Sequence, residues 1–165
     1  MSRALVIVLQ SLLALAVLGG LFAQVVVIPT TAAHEVELFP PYESVRVPFV
    51  TAAIVFIVCL QVLALALGVM LRKAGNGTVF QSGAVTWTNV AIGAIAAGAV
   101  VLAGLFVYVT FADIPSPADG MELLGLWMGS AAGTVAAAGV ALLVVVGRHW
   151  LLRAIAQRRE LDGVV

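Results

Sequence analysis

The stretch "TWTNVAIGAIAAGAVVLAGLFVYVTFA", residues 86–112, contains no Asp, Glu, Lys, Arg or His over 27 residues. A helix rises 1.5 Å per residue, so this run exceeds the roughly 20 residues that cross a hydrocarbon core of about 30 Å. Three further runs share this length and lack of charge: residues 4–28, 48–71 and 123–147. The sequence therefore predicts four transmembrane helices.

The composition of the whole chain agrees with this prediction. Of its 165 residues, 63% are hydrophobic and 10% are charged, and the mean hydropathy is +1.18. Soluble domains average about 45–50% apolar and about 25% charged residues, and so small a globule could not hide this excess. We expect an all-α, polytopic membrane protein, a four-transmembrane-helix bundle that forms one domain over residues 1–165 with the lipid bilayer as its solvent. The first run is longer than the about 7–15 apolar residues of a secretory signal, so we expect it to be a retained helix.

The basic residues predict the orientation, because Lys and Arg are retained on the cytoplasmic side of a membrane. Only Arg46 falls on the opposite side of a four-span model. The other cations share one side: Arg3, Arg72, Lys73, Arg148, Arg153, Arg158 and Arg159. Both termini and the connection 71–85 are therefore expected in the cytoplasm.

Two cytoplasmic segments are candidates for function. The connection "LRKAGNGTVFQSGAV" holds two cations and a glycine-rich turn, after which Val79 and Phe80 can enter the interface and Ser82 or Thr86 can cap the next helix. The tail, residues 148–165, can extend the fourth helix or lie on the anionic leaflet, with Trp150 at the interface. The connection is either a turn that spaces two helices or part of a face that binds a protein. The candidate residues of that face are Arg72, Lys73, Phe80, Arg158 and Arg159.

The two opposite, outer segments are acidic and contain proline. Pro29 and the pair Pro40–Pro41 predict turns or extended chain, because proline lacks an N–H and fixes its φ angle. The acids and the histidine are either solvated loop charges or a weak site for divalent cations or protons: His34, Glu35, Glu37, Asp113, Asp119 and Glu122. They have no recognised ligand spacing, so we predict no metal site.

Small residues predict how the helices pack, because no hydrophobic force drives helices together in lipid. The fourth run carries a small-residue stripe, spaced four, three, four and three: Gly125, Gly129, Ala132, Ala136 and Gly139. The stripe serves either the internal bundle, which needs it first, or a homo-oligomer. Helix three is small nearly all round and should occupy a crowded position. Gln61 and Thr134 can form hydrogen bonds across helices, and Cys59 is expected to be packing material.

Enzymatic chemistry finds no support in the residue pattern. There is no phosphate loop, no acid pair within a span and no pair of histidines spaced for a metal, since His34 and His149 fall on opposite sides. We expect no catalysis and no cofactor, and a net charge of zero argues against direct binding of nucleic acid. The spans also lack the ionisable residues typical of ion-coupled carriers. An oligomeric permeation or resistance component for a small molecule or ion is the alternative function.

The layout resembles a bacterial family of membrane proteins known as domain of unknown function 2975. The matching residues of the connection are Leu71, Arg72, Lys73, Gly77, Val79 and Phe80, and those of the tail are Glu160, Leu161, Asp162 and Val165. The third helix departs from the family, which usually carries basic residues where this chain has Val85–Asn89. The resemblance implies location in the bacterial inner membrane and no known activity. It also implies a regulatory or protein-interaction role, since such proteins often accompany a small helix-turn-helix regulator.

Overall fold

The computed structural model describes residues 3–75, 83–115 and 121–162, which form long helices. Helix α1, Arg3–Phe22, passes through a π-helical segment, Ala23–Val27, directly into α2, Ile28–Leu38. A 3₁₀ turn at Pro40–Tyr42 precedes α3, Glu43–Gly75. Two more helices complete the fold: α4, Gly83–Phe111, and α5, Met121–Asp162.

Four helical segments are long and apolar enough to cross a membrane: Ala4–Leu38, Pro40–Lys73, Thr86–Phe111 and Leu123–Trp150. They confirm the predicted all-α, polytopic architecture with four membrane-spanning helices. The helices that form these segments extend past both ends of the predicted windows, with one exception. Helix α4 ends at Phe111, one residue before the end of its window. We call the end of the spans that carries Arg72, Lys73 and Arg148 the basic end, and the opposite end the acidic end.

Pro29 does not form a turn, so that prediction is wrong. The chain stays helical through Pro29, which occupies the first turn of α2 immediately after the π-helical segment. A proline removes one backbone donor, and a local widening of the helix is one way to absorb its ring. The hydroxyl of Thr30 donates to the carbonyls of Val26 and Val27, at 2.7 and 3.1 Å, and so satisfies acceptors beside the proline. The chain leaves the helix later, at Pro40–Tyr42, as the pair Pro40–Pro41 predicts.

The helices pack in the order of the chain. Within the described residues, α1 packs against α3, α3 against α4, and α4 against α5, whereas α1 and α5 make no substantial contact with each other. The spans therefore form a row instead of a closed bundle. The small-residue helix α4 has the most buried span, as its composition predicts. The buried apolar residues are mostly small or β-branched: Val45, Ala66, Ala91, Ala94 and Val109.

Each side of α4 uses a different close contact. On the α3 side, a Cβ added at Gly98 would lie 3.5 Å from the Phe56 ring and 3.7 Å from the Cβ of Cys59, so Cys59 does pack between helices. On the α5 side, a Cβ added at Gly133 would lie 3.1 Å from a methyl group of Leu102. Tight contact at glycine replaces hydrophobic attraction as the source of affinity between helices in lipid.

The small-residue stripe of α5 does not make these contacts. All five residues are exposed, and nothing lies within 4 Å of a Cβ added at Gly125, Gly129 or Gly139. The α5 face that meets α4 carries Ser130 and Gly133, one residue further along the helix and so rotated by about 100°. The interpretation favoured from the sequence is that the stripe packs within the bundle of one chain. That interpretation is therefore wrong for the described residues. Packing of the stripe against a second copy stays a prediction.

Candidate functional site

A polar network joins the first span to α3 near the middle of the membrane. The amide Nε2 of Gln61 donates to the carbonyl of Val17 at 3.2 Å. The amide Nε2 of Gln24 donates to Oε1 of Gln61 and to the carbonyl of Ile54, both at 3.3 Å. The predicted hydrogen bond from Gln61 across helices is confirmed. Because water is absent at this depth, the two side chains satisfy each other and fix the register of the two helices.

Gly20 makes room for this network. A Cβ added at Gly20 would lie 2.8 Å from Nε2 of Gln61 and 3.1 Å from Cγ2 of Ile57, both closer than ordinary contacts. At the adjacent Gly19 nothing lies within 4 Å of an added Cβ. Sequence reasoning missed this role, although the Gly19–Gly20 pair inside an otherwise bulky apolar run was a signal.

Thr134 does not bond across helices, so that part of the prediction is wrong. Its hydroxyl donates to the carbonyl of Ser130 at 2.7 Å, one turn earlier in the same helix. The hydroxyl of Ser130 likewise donates to the carbonyl of Trp127 at 3.0 Å. A short side chain can satisfy itself within its own helix, whereas the longer glutamine side chain reaches the neighbouring helix.

A groove of about 460 Å³ lies between α1 and α3 toward the basic end. Its apolar walls include Leu13, Leu18 and Leu65, and Gly68 faces Leu13, since a Cβ added at Gly68 would lie 3.8 Å from a Leu13 methyl group, an ordinary contact. Two polar side chains line it: Gln10 of α1 and Arg72 of α3. Because Arg72 directly follows the last apolar residue of its span, this end of the groove lies at the membrane–water interface.

The polar end of the groove carries donors that no described residue pairs. Nε2 of Gln10 is buried and has no hydrogen-bond partner among the described residues. Arg72 is exposed and forms no ion pair within the described part of the chain. No acidic side chain is among the described groove residues. The groove thus offers an amide donor and a guanidinium beside an apolar channel.

The predicted partner-binding residues are only partly described. Arg72 lines the groove, and Lys73 is half-buried in the next position of α3. Phe80 and the proposed cap Ser82 lie outside the described residues, while Thr86 lies inside α4 and does not cap it. Arg158 and Arg159 belong to α5, and their side chains also lie outside the described set.

Helix α5 is much longer than a membrane span. Its 42 residues correspond to about 63 Å at 1.5 Å per residue, about twice the hydrocarbon thickness of about 30 Å. The helix continues past Trp150, which is 72% exposed, to Asp162. Arg153 in this extension is also exposed. The basic tail is therefore a direct extension of the fourth span as far as Asp162.

The acidic end holds a second cavity, of about 270 Å³, and most of the aromatic contacts. Glu35 and Arg46 are the charged residues on its otherwise apolar lining. Phe49 meets Tyr108 edge to face at 5.8 Å, and Phe106 lies 5.2 Å from Trp127, both measured between ring centroids. The indole Nε1 of Trp127 donates to the hydroxyl of Thr110 at 2.9 Å. Such amphipathic rings are suited to the membrane interface.

The ion pairs between described residues of the acidic end are local. Nδ1 of His34 lies 3.8 Å from a carboxylate oxygen of Glu37, with both side chains largely exposed. Nη1 of Arg46 donates to Glu43 at 3.4 Å. Over residues 3–75, 83–115 and 121–162, no three His, Cys, Asp or Glu side chains converge as metal ligands. Asp119 and the side chain of Glu122 lie outside the described set.

Comparison with known proteins identifies the chain's relatives only at the level of a family. No curated protein and no solved structure matches it. A family model described as a protein of unknown function, DUF2975, matches residues 30–165. This match runs from within α2 through α5 and includes both segments that carry the resemblance noted from sequence. The chain therefore belongs to the DUF2975 family of proteins of unknown function.

Proposed function

We propose that this protein is a non-enzymatic component of the bacterial inner membrane that binds a cytoplasmic protein through its basic end. The observation that supports this proposal is the extension of α5 beyond the membrane span as one continuous helix. A helix that served only to cross the bilayer would need about 20 residues. The extra turns present side chains to water or to a partner.

Charge defines the partner that this extension fits. Residues 148–162 carry four arginines and two acids, a net charge of +2 without His149. Arg153 is exposed, and Arg72 and Lys73 add cations at the same end of the row. An acidic protein surface is complementary to this set, and charge complementarity increases both the rate of encounter and specificity. A small helix-turn-helix regulator, as the family resemblance implies, is a candidate for the partner.

The proposed orientation places both termini in the cytoplasm. It rests on the positive-inside rule, since seven of the eight basic residues share the basic end. This orientation presents the α5 extension to cytoplasmic proteins and the acidic end to the opposite side of the membrane.

Crosslinking in native membranes tests the interaction. A photoreactive residue at Arg153 should capture one defined cytoplasmic protein, whereas the same residue at His34, at the acidic end, should capture none. The combined change Arg158→Glu and Arg159→Glu should abolish capture while the helix content stays the same. Arg72→Glu with Lys73→Glu should reduce it, because these residues lie at the same end. Equal capture from both positions, or capture that survives every charge reversal, would contradict the proposal.

The exposed stripe on α5 favours one alternative function, permeation of a small molecule or ion through an oligomer. The described helices form a row without a lumen, so a pore would require further copies packed on Gly125, Gly129 and their neighbours. Reconstituted vesicles should then show a flux that Gly129→Leu abolishes. Vesicles that retain their ions and solutes at every protein density would refute this alternative.

A further inference from the structure

We propose that the groove between α1 and α3 binds an anionic phospholipid, with one acyl chain along its apolar walls and the phosphate at Arg72 and Gln10. This site shares Arg72 with the basic end but does not require the protein partner proposed above. It is formed by the residues that enclose the groove of about 460 Å³: Gln10, Leu13, Ala14, Val17, Leu18, Ala64, Leu65, Gly68, Val69 and Arg72.

The shape of the groove fits a lipid. Its α3 wall runs from Ala64 to Arg72, about 12 Å at 1.5 Å per residue, so it reaches from the interface into one leaflet without crossing the bilayer. The walls are aliphatic except at the interfacial end. An acyl chain lies along the bilayer normal at the same depth, and its headgroup lies at the level of the polar end.

The unsatisfied donors specify the headgroup. Nε2 of Gln10 is buried without an acceptor, and a buried donor that loses water and finds no partner is costly. Arg72 lines the same groove, has no ion pair within the described residues and has no acidic neighbour on the groove walls. The phosphodiester of a phospholipid offers acceptor oxygens and a negative charge to both groups, and the carbonyl oxygens of the lipid's acyl esters lie just below it. Arginine binds phosphate oxygens through two parallel N–H donors.

The identity of the lipid follows from charge. A phosphatidylcholine headgroup carries its own quaternary ammonium beside the phosphate and has no net charge. Phosphatidylglycerol has a net negative charge that Arg72 can neutralise. A single basic residue at the interface favours an anionic lipid by about fivefold. The groove should therefore retain phosphatidylglycerol in preference to phosphatidylcholine.

Native mass spectrometry of the purified full chain tests the site. The protein is reconstituted in vesicles of equal parts phosphatidylglycerol and phosphatidylcholine, extracted in mild detergent, and its retained lipids are counted. We expect a single retained phosphatidylglycerol, at about five times the level of phosphatidylcholine. Arg72→Gln should bring the ratio close to one, whereas Gln10→Leu, which removes a donor to the phosphate common to both lipids, should lower the retained amount of both and leave the ratio unchanged. Arg153→Gln removes an exposed cation of α5 outside the groove and should leave the ratio unchanged.

A second variant separates loss of the site from loss of the fold. Gly68→Leu keeps both donors but fills the groove beside Leu13. It should reduce the retained lipid of both kinds at unchanged helix content. Equal retention of the two lipids by the unaltered protein would overturn the proposal. An identical effect of Arg72→Gln and Arg153→Gln, or undiminished retention by Gly68→Leu, would also overturn it. Because the measurement uses purified protein, its result does not depend on any protein partner.

Discussion

Replacement of Gly20 by alanine should weaken the contact between the first span and α3. The added Cβ would lie 2.8 Å from Nε2 of Gln61 and 3.1 Å from Cγ2 of Ile57. The Gln61 amide is the end of a flexible side chain and can move aside. However, this movement breaks its bond to the Val17 carbonyl and displaces the Gln24 amide that donates to it.

The magnitude follows from these two bonds and the contact with Ile57. Hydrogen bonds between helices in lipid contribute on average about 0.6 kcal/mol each, so losing two costs about 1 kcal/mol. Overpacking usually costs about 1–3 kcal/mol, and the contact with the Ile57 methyl group should add part of that amount. The total cost of Gly20→Ala is then about 2 kcal/mol. Gly19→Ala is the matched control, because it makes the same change in helix propensity at the neighbouring position, where nothing lies within 4 Å. The difference between the two variants should therefore be about 1–2 kcal/mol.

Reversible unfolding of the purified protein in mixed micelles, followed by circular dichroism, measures this difference. It corresponds to a change of about 5- to 30-fold in the unfolding equilibrium constant. In a Gln61→Ala background the side chain that clashes is gone, so the difference should fall by at least half. Equal stability of Gly20→Ala and Gly19→Ala would refute the reasoning. A difference that persists in full without the Gln61 side chain would show that the network is not its cause.

Three further pairs of substitutions test the packing of the helices. Gly133→Leu should destabilise the fold by about 1–3 kcal/mol through its clash with Leu102, whereas Gly129→Leu, at a position without neighbours, should leave the unfolding free energy of the single chain unchanged. A larger loss for Gly129→Leu in the same micelle assay would place the stripe inside the packed fold. The changes Gln24→Leu and Gln61→Leu, made singly and together, should show a coupling of about 0.6 kcal/mol in a double-mutant cycle, and strict additivity would argue against their hydrogen bond. Trp127→Phe removes the donor to Thr110 but keeps a ring beside Phe106, so it should cost about 0.5–1.5 kcal/mol. Combined with Thr110→Val, which also removes the bond from Thr110 to the Phe106 carbonyl, it should cost less than the sum of the two single changes, because their shared hydrogen bond is lost only once.

Much of the architecture could be predicted from the sequence because length, polarity and helical rise are all local properties. The uncharged run at residues 86–112 predicts α4, Gly83–Phe111, to within three residues at each end. Pro29 was misread because its effect depends on the chain before it. The π-helical segment and the Thr30 hydroxyl let the helix continue through a residue that usually ends one. Such compensation has no simple sequence pattern.

The packing surfaces could not be predicted, because the spacing of small residues does not say which neighbour a face meets. On α5, each residue of the contact face directly follows a residue of the stripe: Ser130 follows Gly129, and Gly133 follows Ala132. The role of Gly20 likewise depends on Gln61, which is distant in sequence. The groove at Gln10 and Arg72 needed the same tertiary information, since each residue alone resembles an ordinary polar flank of a span.

The proposed binding of a cytoplasmic protein depends on the basic end facing the cytoplasm, so orientation is the central claim. In a Cys59→Ala background, single cysteines are introduced at His34, which is largely exposed at the acidic end, and at Arg153, which is exposed on the α5 extension. Right-side-out membrane vesicles are then treated with a membrane-impermeant maleimide before and after permeabilisation. We predict immediate labelling of the cysteine at position 34 and labelling of the cysteine at position 153 only after permeabilisation. Labelling of position 153 in intact vesicles would contradict the proposed orientation and the cytoplasmic partner that depends on it.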